Sequence, residues 1–338
     1  MDACSARGRK RAEEHLPHLL PDIRDLVNGQ SQTDPRFQTT RLYTRLSAAE
    51  VRRQLLQQKG YTAAELPTLQ TINTQLRDLG YYPKKVTKSK PVKKIPETDA
   101  IFDQLHQVHQ TAQERDDTLR LSIDAKATVK IGPFSRGGKS RVPRAAVDHD
   151  FQPQETLTLF GILLPQYDDL FLYGTSSKVT SDFIVDVLEQ WWETVQSRFP
   201  QVTTWVLNQD NGPEQHSRRT QFIKRLVGFA QDHHLTVRLA YYPPYHSKYN
   251  PIERSWGILE NHWNGDLLDS VETALHFAQT MTWKGKHPLV TLVTKTYATG
   301  VKLSPPEMEA LETQIKRLPG LEKWFVDIPA NPAAAWDN

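Results

Sequence analysis

The chain has 338 residues, 42 Lys and Arg against 39 Asp and Glu, and a hydrophobic share of 38%, enough for a sizeable core and for two or three domains. No apolar run approaches the length of about 18 residues that a membrane-spanning helix needs, and the basic start, Met1 to Glu14, lacks the apolar stretch of a secretory signal. One cysteine, Cys4, excludes an internal disulfide framework and a cysteine-based zinc site, so the chain reads as cytoplasmic.

The charge is uneven. Residues 1–117 carry 19 basic and 15 acidic side chains, and residues 118–338 carry 23 and 24, so the basic excess lies in the first third. Residues 1–44 read as a basic, helical and partly disordered segment. Ser47-Ala48-Ala49-Glu50 then has the form of a capping box, with Val51, Leu55 and Leu56 at helical spacing and Gly60 as a stop. A second helix starts near Pro67-Thr68, striped by Leu69, Ile72, Leu76 and Leu79 and ended by Gly80. Residues 45–82 thus suit a small all-α helix-turn-helix region, in which Gln70, Asn73 and Arg77 are among the polar groups able to read base edges. Any small helical hairpin has the same stripe, and the connection, Tyr61 to Leu66, is longer than usual. Residues 83–117 form a linker and a helix. In the linker, Lys84, Lys85, Lys88, Lys90, Lys93 and Lys94 have no acid between them, and Pro83, Pro91 and Pro96 punctuate the run. A solvated linker has this composition, and so does one that tracks a phosphate backbone.

The remainder reads as mixed α/β. Leu119, Leu121 and Ile123 alternate with Arg120 and Ser122, the pattern of a half-buried strand, and Asp124 follows at once. Ala127 to Ile131 is a second strand. The loop beyond it is rich in Gly, Arg and Lys, and the six basic residues Lys126, Lys130, Arg136, Lys139, Arg141 and Arg144 suit phosphate contacts near Asp124, or an ordinary solvated stretch. Gly132 to Ser140 superficially resembles a nucleotide-binding loop, but the spacing requires glycine where Pro133 stands, so no nucleotide cofactor is expected. Thr156 to Leu163 is a third strand, Phe171-Leu172-Tyr173 a weak candidate beside it, and Ser181 to Arg198 an amphipathic helix. The apolar run Val202 to Leu207 ends in a turn carrying Asp210, with Asn211 and Glu214 beside it. A helix, roughly Ser217 to Asp232, and an apolar run, Leu235 to Ala240, lead to an aromatic and proline loop containing His246, which suits an exposed position or contact with phosphate or water. A further helix opens with Asn250 as N-cap, Pro251 at the first position and Glu253 in the first turn. Residues 267–328 read as a helical, polar extension, and 329–338 as a disordered tail.

Asp124, Asp210 and Glu253 each stand at the end of a buried element, 86 and 43 residues apart. Carboxylates gathered at one sheet edge can hold divalent cations for phosphodiester chemistry. Spacing alone does not establish this, because 39 acids leave permissive triples in almost any chain of this length.

The words around the acids carry more. Ser122-Ile123-Asp124-Ala125-Lys126, Lys130-Ile131-Gly132, Phe134 to Arg141, Asn208 to Glu214, and Tyr241 to Gly257 with its string Tyr-Pro-Pro-Tyr-His-Ser-Lys-Tyr-Asn-Pro-Ile-Glu-Arg resemble the Rhodopirellula-type bacterial insertion-sequence transposases of the DDE superfamily. Leu259 to Gly265 and Lys295 to Lys302 fit as well, and the resemblance spans roughly residues 40 to 328. It implies a ribonuclease-H-like mixed sheet flanked by helices over residues 118–266, with Asp124, Asp210 and Glu253 as the catalytic triad. It implies two Mg²⁺ ions, for which Mn²⁺ can substitute, held by the three acids, with Asn211, Glu214, His246 and Asn250 in supporting positions. The implied activity is cutting at the ends of a mobile element and joining of its 3′-ends to target DNA. The implied partners are double-stranded DNA and a second copy of the chain, in the nucleoid-associated cytoplasm and without a membrane. A ribonuclease-H-like nuclease that cuts without joining, and a DNA-binding relic with a silent site, are the rival readings. Relatives carry a further helical DNA-binding segment ahead of the matching region, so Met1 to Glu14 looks like a shortened start.

Overall fold

The computed structural model describes residues 11–28, 31–33, 42–44, 46–82, 94–137, 146, 152–153 and 155–332, and these divide into two units, with the boundary at residues 90 and 91. In the first unit, side-chain caps set the helices. Ser47 Oγ accepts from the Glu50 N–H (3.2 Å) at the start of α3 (Ala48–Gln58), and Thr68 Oγ1 accepts from the Thr71 N–H (3.3 Å) at the start of α4 (Leu69–Asp78). Each oxygen satisfies an amide that a helix start leaves open. Gly80, at φ +88°, follows α4 in the left-handed conformation that only glycine adopts at little cost.

The segment ahead of these helices, expected to be helical in part, contains the helix α2 (Leu19–Asn28), which follows the single turn α1 (Ala12–His15). Leu19, Ile23, Leu26 and Val27 of α2 enclose one core with Val51, Leu55, Ile72, Leu76 and Tyr81. The pair α3–α4 cannot bury its apolar stripes alone, and α2 supplies the third wall. Strands β1 (Ser31–Thr33), β2 (Leu42–Thr44) and β3 (Tyr81–Tyr82) pair in that order, β1 with β2 antiparallel and β2 with β3 parallel.

The second unit is built on nine strands among the described residues. In chain order they are β4 (Thr118–Ala125), β5 (Val129–Ile131), β6 (Glu155–Leu164), β7 (Asp169–Thr175), β8 (Thr204–Gln209), β9 (Thr236–Tyr241), β10 (Leu289–Leu292), β11 (Lys316–Arg317) and β12 (Phe325–Ile328). The spatial order is β10-β7-β6-β4-β8-β9-β12-β11, with β5 paired to β6. Strands β6 and β7 run antiparallel to each other, β6 runs antiparallel to β4, and β8 and β9 run parallel to β4. This is a mixed sheet of ribonuclease-H-like order, extended at both edges.

Alternation decides which side chain faces which layer. Leu119, Leu121 and Ile123 share a core with Phe160, Trp205, Leu207 and Leu239 and with helices α6 (Ser181–Val195) and α7 (Thr220–Asp232). Rings lock this layer: Trp191 meets Trp205 edge-on at 5.4 Å, and Phe160 meets Phe183 at 5.9 Å. On the other face, Leu157, Leu159, Leu163 and Leu172 pack against Ile252 and against Trp256, Leu259 and Trp263 of α8 (Glu253–Trp263), with α9 (Val271–Thr280) beside them.

Two boundaries differ from the sequence-based expectation. Helix α5 (Thr98–Glu114), expected to belong with the linker, packs on β4 and β9 and so belongs to the second unit. The expected helical extension over 267–328 contains α9 and α10 (Pro305–Glu312), but also β10 and β12, which join β7 and β9. Both strands are four residues long, and periodicity over so short an apolar run does not separate strand from helix. The sheet therefore extends well past residue 266.

Candidate active site

Because β4, β8 and β9 are parallel, their carboxyl ends share one sheet edge, where Ser122 is level with Asn208 and Gln209 with Tyr241. Asp124 is the penultimate residue of β4, and Asp210 is the first residue past β8. The third acid arrives through the loop that follows β9. Tyr242 N–H donates to the Gln209 carbonyl (2.9 Å), which anchors the loop beside Asp210. At its far end Asn250, 1% exposed, is fastened to β4: its Oδ1 accepts from Ser122 Oγ–H (2.5 Å), and its Nδ2 donates to the Ile123 carbonyl (2.9 Å). Ile252 N–H donates to Ser122 Oγ (3.1 Å), and α8 then begins at Glu253.

Asn250 was expected to cap α8, and it does not. A buried amide needs partners for both its ends, and the groups of β4 supply them. The loop is thereby stitched to the strand two residues from Asp124, so Glu253 emerges over the same edge. All three acids are half-buried.

Burial first, and then the negative charges of Glu253 and Asp210, push the Asp124 carboxyl up to about 7, against the opposing hydrogen bond from Trp256. The Trp256 indole Nε1–H donates to Asp124 Oδ2 at 2.7 Å. Asp210 Oδ1 accepts from Gln215 Nε2 (2.7 Å) and from the Gly212 N–H (3.2 Å). Among the described residues, no three His, Cys, Asp or Glu are gathered closely enough to grip a metal ion as they stand. The donor set still fits a hard divalent cation: three carboxylates stand at one edge, and the charges of Glu253 and Asp210 add to burial in raising Asp124, a repulsion that a cation relieves.

A profile of the family described as the Rhodopirellula transposase DDE domain matches residues 22–330. The chain belongs to this family of DDE transposases. Divalent-metal use goes with the family. No curated protein is significantly similar to the transposase. Solved structures similar to it include a Mos1 transposase paired-end complex with left transposon end, at 13% identity over 68% of this chain and 69% of that one, with a TM-score of 0.41. Others are Mos1 mariner paired-end complexes with Mn (14% identity, 72% and 73% covered, TM-score 0.41) and with Mg (14% identity, 71% and 74% covered, TM-score 0.40).

The other residues singled out from the sequence divide. In the transposase, Asn211 is exposed beside Asp210, whereas Glu214 turns away from the acids. Glu214 accepts from the Ser181 N–H (3.2 Å) at the start of α6 and pairs with Arg219 (3.0 Å). His246 is 4% exposed, not an exposed loop residue. Its ring lies edge-on to Phe102 of α5 (5.4 Å) and stacked on Tyr249 (6.0 Å), with Nδ1 2.8 Å from the Pro244 carbonyl, so it braces the loop.

Arg136 is engaged within the protein. Its guanidinium binds both oxygens of Glu260 (2.7 and 2.6 Å) over the Trp263 ring, and Lys126 pairs with the same carboxylate. With 18% of the Arg136 side chain exposed, the pair ties the loop after β5 to α8. Lys139 and Arg141 lie outside the described residues, as do Lys84, Lys85, Lys88, Lys90 and Lys93; Lys94 pairs with Asp99 (2.7 Å). Gln70, Asn73 and Arg77 are exposed along α4.

Further contributors were not read from the sequence. Ser122 shares Asp124's face by alternation, the signal that could have marked it. Gln215 holds Asp210. Beneath the acids, Arg120 Nε donates to Asn208 Oδ1 (2.7 Å), while burial and the Arg120 charge push His109 down to about 3.

Proposed function

We propose that this chain cuts DNA at the ends of an insertion sequence and joins the freed 3′-hydroxyls to target DNA, with Asp124, Asp210 and Glu253 as its catalytic acids. The observation that supports the reading is that these acids stand near one another at the carboxyl edge of β4 and β8, where burial first, and then the charges of Glu253 and Asp210, push the Asp124 carboxyl up. Asp124, Asp210 and Glu253 would hold the two Mg²⁺ ions. When bound, such ions supply activation of the attacking oxygen and charge stabilisation for the leaving one.

The protein's own share is positional. Ser122 and Asn250 hold the start of α8 on β4, and Gln215 orients Asp210. In cutting, a water oxygen bonds to the scissile phosphorus as the bond to the 3′-oxygen breaks, leaving a 3′-hydroxyl. In joining, that hydroxyl bonds to a target phosphorus and the target's own 3′-oxygen leaves. Joining conserves the number of phosphodiester bonds, so it needs no nucleotide cofactor.

The DNA partner is taken to be duplex element ends and target, read in part by the exposed Gln70, Asn73 and Arg77. A homodimer on DNA follows from the need to hold two ends, and the nucleoid-associated cytoplasm is the setting. The reading is tested with labelled end-bearing duplex and Mg²⁺ or Mn²⁺. Asp124→Asn, Asp210→Asn and Glu253→Gln should each abolish cleavage while leaving duplex binding within about twofold, since surface charge elsewhere dominates affinity. Undiminished cleavage by Asp210→Asn would refute it. Because the acids do not already form a tight three-ligand group, a binding-only protein is the rival. Absence of any cut or joined product from the unaltered chain would favour that rival, and cutting without joining would favour a nuclease.

A further inference from the structure

Trp256 stands one helical turn beyond Glu253 on α8 and is 6% exposed. Its ring can lie over β4 because the residue paired with Asp124 on β6 is Gly161. A Cβ at that position would stand 2.8 Å from Cη2 of Trp256 and 2.6 Å from Cδ1 of Ile252, well inside the usual carbon–carbon separation of about 3.5–4.0 Å. The glycine is thus required for space. Into that space α8 sends an N–H donor as well as an apolar ring. The 2.7 Å bond to Asp124 Oδ2 has the length of a charge-assisted hydrogen bond. A ring that merely filled the gap would not need the nitrogen.

We propose that Trp256 is a positioning residue for Asp124: its indole N–H holds one carboxylate oxygen and so fixes the orientation in which Asp124 takes a divalent cation, and Gly161 is the opening that lets the indole reach it. Glu253 and Trp256 then act from one helix, so any shift of α8 on β4 disturbs two acids together. The inference rests on Asp124 as a cation ligand.

The test uses the full chain labelled with ¹⁵N at its Trp indoles, of which there are eight. Trp256→Phe keeps an aromatic ring but removes one N–H signal, which assigns that signal to Trp256. In the unaltered protein this signal should move on addition of Mg²⁺. Trp256→Phe should keep its thermal midpoint and its affinity for duplex, yet bind Mn²⁺ by calorimetry roughly 10- to 100-fold more weakly and lower kcat at unchanged KM, the range typical of groups that orient metal ligands. Gly161→Ala keeps the indole but displaces it, so it should shift the assigned signal and weaken Mn²⁺ binding in the same direction. Wild-type Mn²⁺ affinity and turnover in Trp256→Phe, with an indole signal indifferent to Mg²⁺, would overturn the proposal. Should Trp256→Phe fail to fold, a Gly161→Ala protein with wild-type Mn²⁺ affinity would overturn it equally. Asp124→Asn separates the two levels. Loss of Mn²⁺ binding there but not in Trp256→Phe removes only the positioning role, whereas undiminished binding in Asp124→Asn removes the cation reading beneath it.

Discussion

At the scale of single residues, the site holds more negative charge than its surroundings favour. Asp124 has a folded pKa near 7 against an unfolded value of about 3.9. The folded state therefore binds the proton more tightly, and the protonated carboxyl stabilises the cation-free fold most fully below about pH 4. That contribution is lost as pH rises through 7. Asp124→Asn, which removes the charge and keeps the shape, should accordingly unfold at a higher temperature than the unaltered protein in chelator at pH 8. The gain should be several degrees, at about 2–4 °C per kcal/mol for a domain of this size, and the difference should vanish toward pH 4. Thermal scans at the two values check this, and an equal difference at both would contradict it. The same titration predicts that Mn²⁺ affinity falls as pH drops below about 7, because the carboxyl must lose its proton to bind. Asp124 itself was legible from the strand alternation that precedes it. Its indole partner was not, because Trp256 at helical spacing looks the same whether its ring or its N–H matters.

At the scale of elements, the central feature is how α8 is fastened to β4. Asn250 and Ser122 make buried hydrogen bonds within two residues of Asp124. Asn250→Ala leaves the Ser122 hydroxyl and the Ile123 carbonyl without these partners, a cost of about 1–3 kcal/mol per buried group. Denaturant unfolding should show that loss, and cleavage should fall with it because Glu253 moves with the loop. A fully stable but inactive Asn250→Ala protein would mean that the asparagine acts on the substrate and not through the fold. The pattern of Asn before Pro had pointed to a helix cap. Burial overrode it: once the loop is pressed on the sheet, the amide finds better partners on β4 than on the helix. The same override hid β10 and β12, which are four-residue runs identified as strands only by the edges they complete. The long elements, β4, β6, α6 and α7, were legible because each repeats its period over enough residues to exclude the alternative.

At the scale of the whole molecule, the proposed division of labour is between the first unit, which would bind DNA, and the unit whose sheet carries the acids. The basic excess of residues 1–117 and the exposed Gln70, Asn73 and Arg77 on α4 predict two separable effects on DNA. Replacing Gln70, Asn73 and Arg77 together should erode the preference for element ends over scrambled duplex by about 1–3 kcal/mol for each base edge no longer read. Replacing Lys84, Lys85, Lys88, Lys90, Lys93 and Lys94 by Gln should weaken binding to both duplexes alike and flatten the salt dependence by up to about 0.9 for each phosphate no longer neutralised. Binding over a salt series measures both. An equal drop in preference in the two proteins would mean that α4 is structural only. Residues 1–44 show why the division was only partly visible in the sequence. Leu19, Ile23 and Val27 are a short stripe whose burial depends on two helices that follow far along the chain.

The proposed chemistry requires Asp124, Asp210 and Glu253 to hold divalent cations together at the carboxyl edge of the sheet. Anomalous scattering from crystals of the chain soaked in Mn²⁺ is the decisive measurement. Manganese peaks are expected at the β4–β8 edge, with carboxylate oxygens of Asp124, Asp210 and Glu253 at about 2.1–2.2 Å, close to the oxygen distance of magnesium sites. Manganese bound elsewhere, or bound at this edge without Asp124, would contradict the assignment.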